Sequence, residues 1–179
     1  MEDFSSDYLW GKRDKLILKL ELSALYHLKR ERFFDVLDKI FKAISLIGGS
    51  AAIFKISEIE TVKYIAASIT ITSSLSLVLS FSDRSKKHAE FAKNYRKLNS
   101  TVLRVGERDF NEDHIKKWEA EACDIESSEP LALSTLTVIC QNELAISRGD
   151  IESVCDVPLY KIPFVHVFDM PQKAVRRTT

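Results

Sequence analysis

One stretch limits what this chain can fold into more than any other. "YIAASITITSSLSLVLSF", Tyr64 to Phe81, contains no charged residue, although 29% of the chain is Asp, Glu, Lys or Arg. A second apolar run, "AISLIGGSAAIF" from Ala43 to Phe54, precedes it by nine residues. Two such runs back to back form either the buried centre of a soluble helical bundle or a membrane hairpin.

With 179 residues the chain is long enough for one domain with a real core. Its formal net charge is zero, so it lacks the general basic field of a nucleic-acid binder. Only 5 Gly and 4 Pro are present, which favours helix over a turn-rich β fold. The start "MEDFSSDY" is acidic and polar, so no cleaved secretory signal is expected. Cys123, Cys140 and Cys155 are odd in number and widely spaced, which fits reduced thiols rather than a disulfide framework.

From about Trp10 to Phe54 the spacing predicts one very long helix. Leu18, Leu22 and Leu25 share a face, and Phe33, Leu37, Ile40 and Ile44 continue a stripe. Ser57 followed by Glu60 fits a capping box, so a second helix is expected from near Glu58. It should continue beyond Phe81. There Phe91, Tyr95, Leu98, Val102 and Val105 step by four, three, four, three, a heptad seam facing another helix. Asn111 is the expected cap of a third helix, with Glu112 and Asp113 in its positive first turn. Ile115, Trp118, Ala122 and Ile125 form its apolar face. Pro130 suits the first turn of a fourth helix ending near Ser147. Beyond it Pro158, Pro163 and Pro171 exclude an α-helix, and "FVHVF" has the composition of a short strand.

The length of the charge-free run favours lipid. Eighteen residues at about 1.5 Å each cover about 27 Å, close to the ~30 Å hydrocarbon thickness. A soluble helix of that length would show a polar face, and here the only polar groups are hydroxyls. From Ile40 to Ile56 the first run covers roughly 25 Å, with Lys42 inside one end, where its ammonium reaches the interface. Lys29, Arg30 and Arg32 precede the first run, while Arg84, Lys86, Lys87 and Lys93 follow the second. The positive-inside bias then places both termini in the cytoplasm. The expected architecture is all-α. One helical domain covers 1–150, with a transmembrane hairpin at about 36–81. Its two very long helices continue into a cytoplasmic four-helix bundle from 8–35 and 82–148, and an extended tail occupies 151–179.

Three segments, "YHLKRERFFDVLDKIFKAISLIGGSAA", "LSFSDRSKKHAEFAKNYRKL" and "ESSEPLALSTLTVICQNELAIS", resemble the SLATT family. Its members are two-span membrane effectors of bacterial nucleotide-signalling conflict systems. The resemblance runs from about Tyr26 to Ser147 and is anchored by no catalytic motif. It implies an inner-membrane hairpin that oligomerises to form a pore or otherwise disrupts the membrane, arresting growth in antiviral defence. It further implies a signalling or sensor protein encoded elsewhere, because the chain is too short for an obvious fused sensor.

The hairpin supplies the candidate functional residues. Ser68, Thr72, Ser76 and Ser80 recur every four residues as a slanting hydroxyl ridge. Such a ridge either packs against another helix, its hydroxyls bonded to their own carbonyls, or lines a wet pore. Ser45–Gly49 and Gly48–Ala52 are small-xxx-small pairs that permit close backbone approach. Lys42 either snorkels or stands at a pore mouth.

Enzyme chemistry finds little support. His27, His88, His114 and His166 are scattered, with no His or Cys at metal-ligand spacing. No phosphate-binding glycine loop or nucleophile elbow is present, and no cofactor is implied. "RSKKH" and "KNYRK" beside a membrane run fit topology and anionic lipid better than nucleic acid. The two functional expectations are a pore-forming effector and a membrane-anchored scaffold that presents its bundle to a soluble partner.

Overall fold

A computed structural model of the chain describes residues 2–54, 59–106 and 109–170, with side chains in 7–50, 60–106 and 109–170. Among these residues the regular structure is helical, with no strand. The helices are α1 (Glu2–Phe54), α2 (Ile59–Leu79), α3 (Phe81–Arg104), α4 (Glu112–Glu126) and α5 (Ser134–Ser147). Short 3-10 turns follow at Ile151–Ser153 and Leu159–Phe164. The fold is therefore all-α, as expected. The proposed capping box at Ser57 lies outside the described residues. Two compact units divide the chain, one from residues up to Leu28 and from Ala89 onward, the other Lys29–His88.

The first unit is a helical bundle. Leu16, Leu20 and Ala24 of α1, Tyr95, Leu98 and Val102 of α3, and Ile115, Trp118 and Ala122 of α4 form one buried cluster. The α3 and α4 seams are those expected from their spacing. In α1 the inward face differs by a small rotation. Leu18 is exposed, and Leu22 and Leu25 are only partly buried, against a second cluster of Tyr26, Leu136, Cys140 and Val165. Leucines alone misplace this face because two of its inward positions are polar, Arg13 and His27.

Both polar side chains bind across the bundle. Arg13 Nη2 donates to the Val102 and Val105 carbonyls, 3.2 and 3.1 Å away, at the C-terminal end of α3. A cation suits the orphan carbonyls and negative dipole of a helix end. His27, fully buried, stacks on Tyr95 and Phe91 and places Nε2 2.9 Å from Glu129 Oε1. Burial pushes the neighbouring Tyr95 phenol above its ordinary pKa, and the Glu129 carboxylate adds to the shift. Arg13→Ala removes two charged hydrogen bonds to otherwise orphaned carbonyls. It should lower stability by about 2–3 kcal/mol, measured by urea unfolding followed through the buried Trp118.

Local caps set the smaller helices. Asn111 caps α4, accepting from the His114 amide at 3.0 Å while His114 Nδ1 accepts from the Asn111 amide. The pair forms a capping box with histidine in the glutamate position. Helix α5 starts at Ser134, four residues after Pro130. Tertiary bonds hold the intervening chain extended: Leu133 N–H donates to Tyr26 Oη, Ser134 N–H to Asp169 Oδ1, and Glu129 is held by His27. The 151–170 segment thus docks on the bundle. Val165 is buried, Thr135 Oγ1 donates to the Met170 carbonyl, and "FVHVF" closes on itself. The Val167 and Phe168 amides donate to the Phe164 carbonyl, so the segment turns and makes no strand.

In the second unit the expected long second helix is broken at Ser80, where φ is +47°. A left-handed non-glycine residue costs about 1–2 kcal/mol. The break falls where the charge-free run ends. The Ser80 hydroxyl bonds back to the Leu77 carbonyl, and its own carbonyl accepts from the Asp83 and Arg84 amides to start α3.

Candidate functional site

Within Lys29–His88 the two apolar runs pair antiparallel. Gly48 opposes Ile69: a Cβ added at Gly48 would stand 2.8 Å from Ile69 Cγ1. Ser45 Oγ lies 3.4 Å from Ser73 Oγ. Phe41 packs on Phe81 at 5.2 Å between ring centroids, and Phe34 stacks on His88 at 5.6 Å. Gly49 by contrast faces open space. Close packing therefore uses Gly48 and leaves Gly49 unused within this unit. The inward stripe of α1 is Phe34, Phe41, Ser45 and Gly48. Of the expected stripe, Ile40 and Ile44 are exposed.

The outward faces of both helices are apolar and uncovered. Leu46, Ile47, Ile71, Leu77 and Val78 are all more than two-thirds exposed. The helical stretch Glu60–Arg104 is long and apolar enough to cross a membrane, and only 6% of its most apolar 18-residue window is buried. The core helix of a soluble protein would be mostly buried. The first run, 40–56, extends into residues outside those described.

Basic residues from both flanks converge on one ring at one end of this pair. The Arg30 and Arg84 guanidinium carbons lie 4.6 and 5.8 Å from the Phe34 ring centroid. Ser85 Oγ donates to the Glu31 carbonyl at 3.3 Å. These contacts bring the start of the first run and the end of the second together.

The hydroxyl ridge separates in three dimensions. Ser68 is exposed and donates to the Tyr64 carbonyl at 2.9 Å, and Thr72 donates to Ser68 at 2.7 Å. Both bonds satisfy the hydroxyl within its own helix. Ser76 and Ser80 line a notch of about 410 Å³ beside Lys42, Ser45, Ser73 and Asp83. Lys42 Nζ is bonded to Asp38 Oδ2 at 2.6 Å, one turn away on the same helix. Four of the eight residues singled out from sequence thus meet at one notch: Lys42, Ser45, Ser76 and Ser80. Ser68 and Thr72 do not line it, nor do Gly48 and Gly49.

Ser73, Asp38 and Asp83 belong to the notch and were not expected there. Ser73 breaks the step of four by which the ridge was drawn. The facing row on α2 advances by alternating threes and fours, through Ile65, Ile69, Thr72 and Ser76. The spacing of Asp38 and Lys42 was the available signal for that pair. Among the described residues no His, Cys, Asp and Glu side chains are grouped to hold a metal ion.

The chain matches no family model, no curated protein and no solved structure. The likeness to the SLATT family therefore rests on the sequence segments quoted above, and the geometry of the helical pair carries the functional argument.

Proposed function

We propose that the chain is a two-span membrane protein of the bacterial inner membrane. Its hairpin oligomerises to open a pore or otherwise disrupt the bilayer, stopping growth in the manner the SLATT resemblance implies. The observation that carries this reading is the uncovered apolar surface on both antiparallel helices. In water so large an apolar face would drive association. In lipid it is matched by acyl chains, and a helix satisfies the amides of its interior along its own backbone. The convergence of Arg30 and Arg84 at one end supports a cytoplasmic placement of both termini.

One hairpin has too few helices to enclose water, so a pore requires several copies in cyclic or dihedral symmetry. The polar notch supplies the groups that ions would meet. In that role Ser76, Ser45 and Ser73 offer hydroxyls, while the Lys42–Asp38 pair and Asp83 supply charge at the mouth. The second reading is a membrane anchor whose bundle recruits a soluble partner. It is favoured by one observation: Ser68, Thr72 and Ser80 already bond to carbonyls of their own chain and need no water.

The two readings separate in cells. Induced wild-type protein should collapse the membrane potential and release potassium. Ser73→Ala with Ser76→Ala should keep expression and membrane location, because hydrophobicity rises, yet bring ion leak and toxicity close to the uninduced level by drying the path. A double variant that inserts normally and leaks like wild type removes the hydroxyls from the pore. Wild-type protein that sits in the membrane without any leak leaves the anchor.

A further inference from the structure

The notch between the two apolar helices is rich in acceptors and poor in free donors. Three charged side chains line it, Asp38, Lys42 and Asp83. The Lys42 ammonium is engaged with Asp38, 2.6 Å away, so that pair is neutral as a whole. Asp83 is exposed, and its carboxylate has no ion-pair or hydrogen-bond partner among the described residues. Each copy therefore brings one uncompensated negative charge to the notch. The serines share this bias, because a hydroxyl has one proton to donate and two lone pairs. The Ser80 proton goes to the Leu77 carbonyl, and one of Ser45 and Ser73 donates to the other across 3.4 Å. Ser76 differs from its neighbours on α2. Ser68, Thr70 and Thr72 each donate to the carbonyl one turn back, at 2.9, 2.9 and 2.7 Å. Ser76 is half-buried in the notch and makes no such bond among the described residues. In hydrocarbon an unsatisfied hydroxyl is costly, so this one calls for water or an ion.

We infer that the path lined by these notches is selective for monovalent cations, and that Asp83 is the residue that sets the selectivity. The inference rests on the pore reading and deepens it by naming what passes. Oxygen lone pairs and carboxylates can replace the water around a cation. Chloride needs free donors instead, and the one ammonium in the notch is engaged. Cyclic assembly turns one Asp83 per copy into a ring of carboxylates, the arrangement that favours cations in a pore. A single carboxylate among neutral hydroxyls suits a monovalent ion, whereas calcium takes about six to eight oxygen ligands, several of them charged. The neighbouring bases do not cancel this charge at the notch. Arg84 is turned onto the Phe34 ring, and Lys86 and Lys87 stand one turn further along α3. None of the three lines the notch.

The test is the reversal potential of the full chain in planar bilayers of neutral phosphatidylcholine under a potassium chloride gradient. Wild type should pass potassium about tenfold or more in preference to chloride. Asp83→Asn should bring that ratio close to unity, and Asp83→Lys should turn it toward chloride. Asp83→Glu keeps the charge and should keep the potassium preference. Asp83 also stands in the first turn of α3, where a carboxylate suits the positive helix end. A purely structural role there would change the number of channels without moving the reversal potential. Lys86→Gln with Lys87→Gln should leave the ratio unchanged. A wild-type channel that is unselective or prefers chloride overturns the inference. So does an Asp83→Asn channel with the wild-type ratio, or a shift in the lysine variant as large as that of Asp83→Asn. Protein that inserts in the bilayer and passes no current overturns the pore reading and this inference with it, whereas a current of the wrong selectivity overturns only this one.

Discussion

Ile71→Arg should move the protein out of the membrane fraction, and the direction of the effect decides between water and lipid around α2. Ile71 sits near the middle of the charge-free run and is 68% exposed. If water surrounded it, exchanging an exposed isoleucine for arginine would shift stability by no more than about 0.5 kcal/mol and would improve solubility. At the centre of a membrane span the same change costs about 2.5–3.5 kcal/mol on insertion scales. That corresponds to a fall of roughly a hundredfold in the inserted-to-uninserted ratio. Carbonate-resistant membrane association is the measurement. A control at Tyr64, exposed at the end of the run, should be tolerated as Tyr64→Arg because the guanidinium can snorkel to the interface. If Ile71→Arg stays as carbonate-resistant as wild type, position 71 does not face acyl chains, and if wild-type protein is itself released by carbonate, the hairpin is not in lipid.

The sequence made much of this legible because its strongest signals are local. A charge-free run needs no tertiary information to be noticed, and neither does the cap at Asn111 or the three-four seam on α3 and α4. What escaped it depends on contacts between distant positions. The α1 face was misplaced because its anchors are Arg13 and His27, polar residues held inside by the Val102 and Val105 carbonyls and by the Glu129 carboxylate. The start of α5 shifted from Pro130 to Ser134 because Tyr26 and Asp169, far away in sequence, take its first amides. The break at Ser80 lies inside a continuous apolar-to-amphipathic pattern, and its left-handed backbone identifies it only in the structure. For the candidate site, the residue types were readable and their grouping was not. A row drawn by fours drifts around the helix, which is why Ser68 left the notch and Ser73 entered it.

The second large effect is expected at Gly48. Replacing it with leucine should separate the two apolar helices, whereas the same change at the adjacent Gly49 should leave them paired. At Gly48 even a methyl group would stand 2.8 Å from Ile69 Cγ1, inside van der Waals contact, and a β-branched side chain fixed in a helix has little freedom to withdraw. Overpacking at such a contact costs about 1–3 kcal/mol, and here the helices must also give up the small-residue approach that drives association in lipid. Gly49 meets nothing within 4 Å, so a side chain there adds only helix propensity. Proximity can be read with cysteines at Ser45 and Ser73, whose hydroxyl oxygens lie 3.4 Å apart. A short bismaleimide, which adds one thiol at each end, should join them in the otherwise wild-type chain and in Gly49→Leu, and should fail in Gly48→Leu. Ile69→Ala added to Gly48→Leu should restore the cross-link, because it removes the atoms that collide. If Gly49→Leu keeps the cross-link yet loses activity, Gly49 packs against a neighbouring copy, as an oligomeric pore requires. If Gly48→Leu still cross-links at the wild-type rate, the antiparallel pairing described for these helices is not the arrangement in the membrane.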